Sequence, residues 1–183
     1  DLVTTSEDDA ILQLAKENGS QTIRRPPELA QDHSKMPPVI NHVLSVKRAN
    51  NIEYDNIVLL QPTSPFRTCF DIDQALLMLI QNKADSVISV TEVGDHHPAR
   101  MYRLADNQLQ SYSPSFEKEN RQNLPKLYHR NGMLYALKRK LFEEHQTFFI
   151  KNSLPLLIPS NRAINIDEEF DFMIAELLIK STS

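Results

Sequence analysis

Residues 57–68 constrain the fold more than any other part of the chain. Four apolar residues, 57–60, are typical of a buried strand, and they run directly into a polar loop, 61–68, that contains two prolines. A helix is predicted to begin near Asp71. Ligands of open α/β sheets bind where strands end at their carboxyl edge. The loop offers an amide, two hydroxyls and a guanidinium, which suit an anionic, hydroxyl-rich ligand such as a nucleotide or an acidic sugar. The alternative is a rigid surface turn.

Strands and helices alternate on both sides of this loop. The first helix is predicted to start at Ser6, as its cap, and to end at Gly19. Further strands are predicted at residues 22–24, 86–90, 133–137 and 154–158, and further helices at 37–49, from 71, up to 145, and from 167. Apolar spacing predicts buried faces formed by Ile72, Ala75, Leu76, Leu79 and Ile80 in one helix, and by Phe170, Ile174, Leu177 and Leu178 in the last. The alternation predicts an α/β fold with a mostly parallel sheet flanked by helices.

Residues 92–131 break this pattern. They contain three prolines and short Tyr- and Leu-bearing stretches, and they show no helical period. We therefore predict an α/β core of residues 1–91 and 132–183, with residues 92–131 as an inserted β-rich flap. Its apolar side chains indicate a contact with a second subunit, since such patches usually mark interfaces. A flap folded back on its own domain is the alternative.

Composition and charge exclude several classes of protein. The net charge of −4 gives no general case for binding nucleic acid or an anionic membrane. The single cysteine, Cys69, cannot form an intrachain disulfide, which favours a reducing compartment, and we expect a cytoplasmic protein. No apolar run is long enough to span a bilayer, and no signal peptide is recognisable. The sequence starts at Asp1 within a predicted strand, so we expect further sequence upstream.

Asn165 and Asp167 form a second candidate site. If residues 163–167 are a strand, Ile164 and Ile166 point into the core, and the two polar side chains share the opposite face. Two such oxygen donors at a strand end can hold Mg²⁺. The alternative is that Asp167 caps the last helix.

Two polar, basic segments flank Tyr128 and form a third candidate site. They are residues 121–125 and 129–132, and an arginine in either can grip a carboxylate in a bidentate fork. A solvated surface is the alternative. His96 and His97 lack a third ligand at metal-binding spacing, so no metal site is predicted there.

In their order along the chain, these segments resemble the CMP-N-acylneuraminate synthetases, also called acylneuraminate cytidylyltransferases. The similar segments are RPPELA at 25–30, LLQPTSPFRT at 59–68, ADSVISV at 84–90, HP at 97–98, RQNLP at 121–125, NGMLY at 131–135 and INID at 164–167. The resemblance is collinear over nearly the whole chain.

The resemblance implies a Rossmann-like nucleotide-diphospho-sugar transferase fold in which residues 92–131 form a dimerisation arm. It implies transfer of CMP from CTP to a nonulosonic, sialic-type acid with release of pyrophosphate, and Mg²⁺ or Mn²⁺ as cofactor. It implies catalytic roles for Asp167, Gln61 and Arg121; substrate binding by Arg25, Gln61, Thr63, Ser64, Arg67, Arg100, Arg121, Asn131 and Tyr135; and metal binding by Asp167 and Asn165.

The chain also departs from this family. The family's opening strand and its phosphate-gripping loop are absent from the sequence, and Asn165 replaces the first of two paired aspartates. The alternatives are therefore a non-catalytic homologue that binds a sugar acid or a CMP-sugar, or only dimerises, and a cytidylyltransferase for legionaminic acid, pseudaminic acid or Kdo.

Overall fold

A computed structural model describes residues 1–182 of the 183-residue chain. The chain divides into two compact units. The first consists of Asp1–Ile57 and Lys138–Thr147, and the second of Val58–Leu137 and the chain from Phe148 onwards. Among residues 1–182, no helix is long and apolar enough to cross a bilayer.

Eight strands and five α-helices are described, in an alternating order. They are β1 (Val3–Ser6), α1 (Asp9–Glu17), β2 (Gln21–Arg24), α2 (Met36–Ala49), β3 (Asn56–Leu60), α3 (Cys69–Gln81), β4 (Ser86–Glu92), β5 (Tyr102–Ala105), β6 (Gln108–Ser111), β7 (Tyr128–Lys138), α4 (Arg139–His145), β8 (Ser153–Leu157) and α5 (Glu169–Thr182). Short 3₁₀ turns lie at Pro27–Leu29, Gly94–His96, Pro98–Arg100, Pro114–Phe116, Arg121–Asn123 and Ser160–Arg162.

The first unit pairs β1 with β2 in parallel, and α1 connects the two strands. The N-cap of α1 is Asp8, whose carboxylate accepts hydrogen bonds from the N–H groups of Ala10 and Ile11. The prediction that Ser6 caps this helix is wrong. Ser6 is the last residue of β1, and its hydroxyl accepts instead from the N–H of Asp8, one step before the helix.

The second unit contains a four-stranded sheet in the order β3-β7-β4-β8. β8 is parallel to β4, and β7 is antiparallel to it. The antiparallel pair arises because the chain leaves β4 at Glu92 and returns opposite it at Tyr128, without a helical crossover. Side chains of α3, β4, β7 and β8 form the core, among them Ala75, Leu79, Val87, Met133, Leu134, Ala136 and Leu156. The predicted α/β class is confirmed.

Residues 92–127 carry a separate hairpin in which β5 pairs with β6. Asp106 and Asn107 join the strands, both with positive φ, as a tight hairpin turn requires. Leu104 and Leu109 are 73% and 70% exposed. The role of residues 92–131 as an inserted arm stays a prediction.

Two of the predicted helix faces are partly wrong. In α3, Ala75 and Leu79 are buried, but Ile80 is 63% exposed. In α5, Phe170 and Leu177 are exposed, whereas Ala175 is buried. Apolar residues surround most of α5, so their spacing could not identify which side faces the sheet.

Candidate functional site

The polar loop after β3 is held by the guanidinium of Arg67. Arg67 Nη1 donates to the backbone oxygen of Met133 on β7 at 2.6 Å, and it lies 3.4 Å from the backbone oxygen of Gln61. Burial lowers the pKa of Arg67, although the carboxylate of Asp71 acts in the opposite direction. The start and the end of the loop are thus tied to the same strand. Substrate binding by Arg67 stays a prediction.

The loop ends at a capping box. The hydroxyl of Thr68 accepts from the N–H of Asp71, and Asp71 Oδ2 accepts from the N–H of Thr68 at 2.8 Å. Arg162 Nη1 and Nη2 donate to Asp71 Oδ2 and Oδ1 at 2.6 and 3.0 Å. The hydrogen bond from Arg162 is the largest cause that lowers the pKa of Asp71 to about 2. Asp71 is therefore ionised at neutral pH.

Asn165 and Asp167 lie together, as predicted, but not on a strand. Residues 163–167 form no strand. Within the described part of the chain, their one backbone bond to the loop after β3 is from Ile166 N–H to Thr63 O, at 2.8 Å. Asn165 Nδ2 donates to Asp167 Oδ2 at 2.6 Å, and Ser64 Oγ lies 3.5 Å from Asn165 Oδ1. The bond from Ile166 to Thr63 and the contact of Ser64 with Asn165 place the segment beside the loop after β3.

The first turn of α5 is satisfied by Asp171. Its Oδ2 accepts from the N–H groups of Asp167 and Glu168 at 3.1 Å each. This contact leaves the exposed carboxylate of Asp167 outside the capping interaction, which weakens the helix-cap alternative.

The side chain of Gln61 lies against Gly132, close to Asn165. Gly132 has φ of +77°, and a Cβ there would be 2.6 Å from Gln61 Oε1 and 3.8 Å from Asn165 Oδ1. A residue with a side chain would be strained at this φ and would displace the amide. The structure thus brings Gln61, Ser64, Asn165 and Asp167 together.

A pocket of about 390 Å³ opens beside this cluster. Its lining residues are His129, Arg130, Asn131, Gly132, Tyr135, Ala163 and Asn165. The Arg130 guanidinium carbon lies 4.0 Å from the ring centre of Phe149. The Tyr135 ring is 5.5 Å from that of Phe148 and 6.1 Å, edge-on, from that of Phe149. The guanidinium of Arg130 and the ring of Tyr135 therefore line the same pocket, and Phe148 and Phe149 pack beside them.

The sequence did not predict the contact between the guanidinium of Arg130 and the ring of Phe149. Residues 129–132 were recognised as a polar, basic segment, which is a signal for Arg130. The adjacent Phe148 and Phe149 carry no sequence pattern that connects them to β7, so only the fold could reveal the contact.

Asn131 is buried and bonded through both the oxygen and the nitrogen of its amide, although it borders the pocket. Its Oδ1 accepts from Ser89 Oγ at 2.6 Å and from the N–H of Met133 at 3.1 Å, and its Nδ2 donates to Thr91 Oγ1 at 2.9 Å. The pairing of β4 with β7 shifts register between Ile88 and Val90, at this network. These bonds give Asn131 a structural role, and contact with substrate stays a prediction.

Arg100 and Arg121 lie elsewhere in the second unit. Both are exposed, and they lie 3.4 and 3.2 Å from the same oxygen of Asp95. Arg121 borders a different pocket, of about 350 Å³, which also includes His97 and Lys126. The structure does not bring Arg121 into one pocket with Asn165.

Arg25 belongs to the first unit. Its Nη2 donates to the backbone oxygen of Thr5 at 2.7 Å, and Nη1 lies 3.9 Å from a Glu7 oxygen. Its Nε is buried without a partner among the described residues. A role near a nucleotide stays a prediction.

Comparison with known proteins supports the resemblance. No protein-family model matches the chain. The chain is 29% identical over 177 residues to the N-acylneuraminate cytidylyltransferase of Escherichia coli O18:K1:H7, an alignment that covers 95% of the chain. This and other N-acylneuraminate cytidylyltransferases at 25–29% identity support the CMP-N-acylneuraminate synthetase family. The chain spans 41% of the length of the Escherichia coli relative.

Two further proteins are similar to the chain. It is 27% identical over 184 residues to the CMP-N,N'-diacetyllegionaminic acid synthase of Legionella pneumophila, covering 98% of the chain and 78% of that relative. A solved structure of CMP:2-keto-3-deoxy-manno-octonic acid synthetase with CTP superposes with a TM-score of 0.67 at 13% identity, covering 99% of the chain and 81% of that structure. This superposition confirms the fold.

The donors near Asn165 suit the metal ion implied for a CMP-N-acylneuraminate synthetase. Asp167 offers an exposed carboxylate, and Asn165 and Ser64 add an amide and a hydroxyl oxygen. Within residues 1–182, no three His, Cys, Asp or Glu side chains converge on one point. Mg²⁺ is commonly held by one or two carboxylates together with substrate phosphates. The cluster therefore fits a metal ion that arrives with a nucleotide, but not a metal site made by the protein alone.

Proposed function

We propose that the protein transfers CMP from CTP to a nonulosonic acid and releases pyrophosphate. The observation that supports this proposal most is the convergence of Gln61, Asn165 and Asp167 beside one pocket. In the reaction, the anomeric hydroxyl oxygen of the sugar acid bonds to the α-phosphorus, the bond to pyrophosphate breaks, and the hydroxyl proton is released. Such a displacement depends on positioning and on neutralising charge.

Asp167 and Asn165 would hold Mg²⁺ or Mn²⁺. A bound metal ion would neutralise phosphate charge and orient the α-phosphate. Gln61 and Thr63 would contact the sugar. Ser64 is buried, so its hydroxyl would act mainly by orienting the Asn165 amide.

Arg130 would bind the sugar carboxylate. Its guanidinium is part of the pocket wall and is held over the Phe149 ring, which limits its movement. A planar guanidinium can grip a carboxylate with two parallel hydrogen bonds. Tyr135, which lines the pocket and packs against Phe148 and Phe149, would cover the less polar face of the sugar.

Pyrophosphate release tests the proposal. The protein is incubated with Mg²⁺, one of CTP, UTP or ATP, and N-acetylneuraminic, diacetyllegionaminic, pseudaminic or Kdo acid. Release is expected with CTP and a nine-carbon acid, and the ratio of kcat/KM values identifies the sugar. Gln61→Ala should lower kcat/KM, while Thr68→Ser, which keeps the capping hydroxyl, is the control. No release with any of these acids would reject the transferase.

A second candidate function is binding of a CMP-sugar without transfer. The neutral amide of Asn165 favours this candidate, because it attracts a metal ion less strongly than a carboxylate does. Calorimetric titration with CMP-N-acetylneuraminate separates the two functions. Binding without pyrophosphate release would support this second function over the first.

We also propose that residues 92–131 pair two subunits, and that Arg121 serves the site of the partner. Arg121 lies apart from the pocket of its own chain, and the β5–β6 hairpin exposes Leu104 and Leu109. Mixing Arg121→Ala with Asp167→Ala protein should restore up to about a quarter of the activity, because one site in four of a random mixture is then intact. A monomer by sedimentation with full activity would reject both claims.

A cytoplasmic location is proposed as well. It is supported by the single, exposed cysteine, Cys69, which suits a reducing compartment. Fractionation of cells that express the tagged protein tests it, and recovery in an exported fraction would contradict it.

A further inference from the structure

Two separate segments of the second unit build the candidate site, and one arginine outside the pocket connects them. The first segment is the loop 61–68, and the second is residues 163–167. Arg162 precedes the second segment directly, and its guanidinium reaches the end of the first. The proposed reaction assigns no role to Arg162.

We propose that Arg162 is a positioning residue which, through its paired hydrogen bonds to Asp71, sets the separation between Gln61 and the Asn165–Asp167 pair. The inference rests on the proposed function, because it names the residue that aligns the sugar-binding and phosphate-binding halves of that site.

The geometry is that of a rigid fork. Both terminal nitrogens of Arg162 donate to the two oxygens of Asp71, and Nη1 also lies 3.4 Å from the backbone oxygen of Phe66. The Asp71 side chain is 5% exposed and that of Arg162 is 30% exposed, so water competes little for these bonds. A paired fork resists rotation as well as separation, which a single hydrogen bond does not.

Asp71 does not need Arg162 for its local task. Its carboxylate already accepts from the N–H and the hydroxyl of Thr68, and the capping box is complete within the loop and helix α3. The bond to Arg162 therefore adds something other than a helix cap. It joins α3, a fixed element, to a segment that has no secondary structure of its own.

Few contacts join residues 163–167 to the loop 61–68. Arg162 is three residues before Asn165. Besides the side chain of Arg162, the described contacts between this segment and the loop are the bond from Ile166 N–H to Thr63 O, at 2.8 Å, and the approach of Ser64 Oγ to Asn165 Oδ1, at 3.5 Å. If Arg162 releases Asp71, the bond from Ile166 to Thr63 and the long contact of Ser64 with Asn165 must hold the position of Asn165 and Asp167. A misplacement of about 1 Å can cost up to 100-fold in rate.

Hydrogen exchange and kinetics together test the inference, with Arg162→Ala, Arg162→Lys and Arg48→Ala. Arg48 is a matched control, since its Nη2 lies 2.6 Å from Glu143 in the first unit, where no residue of the pocket lies. In Arg162→Ala, the Ile166 amide should exchange at least about tenfold faster, because the segment opens locally. The kcat should fall about tenfold or more, with KM for CTP within about twofold.

Arg162→Lys should be intermediate in both measurements, because lysine keeps the charge but cannot form the fork. Arg48→Ala should match the unaltered protein in both. An Ile166 exchange rate unchanged in folded Arg162→Ala would overturn the inference, as would a Lys variant with full kcat. If Arg162→Ala does not fold, Ile166 exchange and kcat are measured in Arg162→Lys and Arg162→Gln instead.

The two proposals can fail separately. If the unaltered protein releases no pyrophosphate, the proposed function fails, but Ile166 exchange still decides whether Arg162 couples the two segments. If activity is present and the Arg162 variants lose it only in proportion to their unfolded fraction, the function stands and the positioning role is rejected.

Discussion

Asn131 and Asn165 are both asparagines that border the same pocket, yet their surroundings are opposite. Asn131 is 5% exposed, and its amide is bonded to Ser89, Thr91 and the backbone of Met133. Asn165 lies at a half-buried position without secondary structure, and its amide contacts Asp167 and Ser64.

The difference assigns a structural role to Asn131 and a proposed ligand-binding role to Asn165 within one site. Buried polar groups that are bonded within the protein specify a unique arrangement, but they have little bonding capacity left for a substrate. Exposed oxygen donors contribute little to stability and stay available to a ligand. Variants of the first region should therefore change the free energy of unfolding, and variants of the second should change activity.

The largest expected effect is on activity, at Asp167. Asp167→Ala should lower kcat by about 100- to 1000-fold, because it removes the only carboxylate of the proposed metal-binding pair. The melting temperature should stay within about 2 °C, since an exposed side chain is replaced. Glu168→Ala is the matched control, and an equal loss there would show that the effect is not specific to Asp167.

Asn131→Ala should have the largest effect on stability. It removes the acceptor of the Ser89 hydroxyl and of the Met133 N–H, and the donor to Thr91 Oγ1, at a cost of about 3 kcal/mol. Thr91 still donates to the backbone oxygen of Ile158, and Ser89 Oγ still accepts from the N–H of Leu134. Urea unfolding measures this loss, and the exposed Asn161→Ala is the control. If Asn131→Ala lost activity at an unchanged free energy of unfolding, Asn131 would have a ligand-binding role like that proposed for Asn165.

The pair of Asp71 and Arg162 should show a pH dependence that the neutral Asn131 network lacks. The pKa of Asp71 is lowered from 3.8 to about 2, mainly by its hydrogen bond from Arg162. The stabilisation is therefore present above about pH 4 and is lost as the pH falls towards 2, with a total of about 2 kcal/mol. Urea unfolding across this range should show the loss, and Asp71→Asn should flatten it.

The smallest expected effect is on metal affinity. Asn165→Asp should move the Mg²⁺ activation curve about fivefold lower, because a charged ligand attracts a divalent cation more strongly than an amide does. Asn161→Asp controls for the added charge. A curve that does not move would show that Asn165 is not a metal ligand.

The fold could be predicted largely because its signals are local. The apolar strand before Gln61 and the helical spacing of Ala75 and Leu79 each depend on residues close in sequence. The same locality explains the misplaced cap at Ser6, since two neighbouring polar residues could each cap α1.

The site could be predicted only in part. Asn165 and Asp167 were identified as a pair, but the strand expected to align them is absent. The bond of Arg162 to Asp71 spans 91 positions in the sequence, and the contact of Arg130 with Phe149 spans 19. Rules of residue spacing within a helix or strand do not apply over such separations. Tertiary packing decides such contacts.

The bonds of Arg67 have a consequence for changing the substrate. Its guanidinium contacts the backbone oxygens of Met133 and Gln61, and every amino acid supplies such an oxygen. A designer could therefore exchange the side chain at position 61 in a library without releasing the loop that carries it. Selectivity at this position would be open to directed evolution, while the scaffold beneath it would not have to be rebuilt.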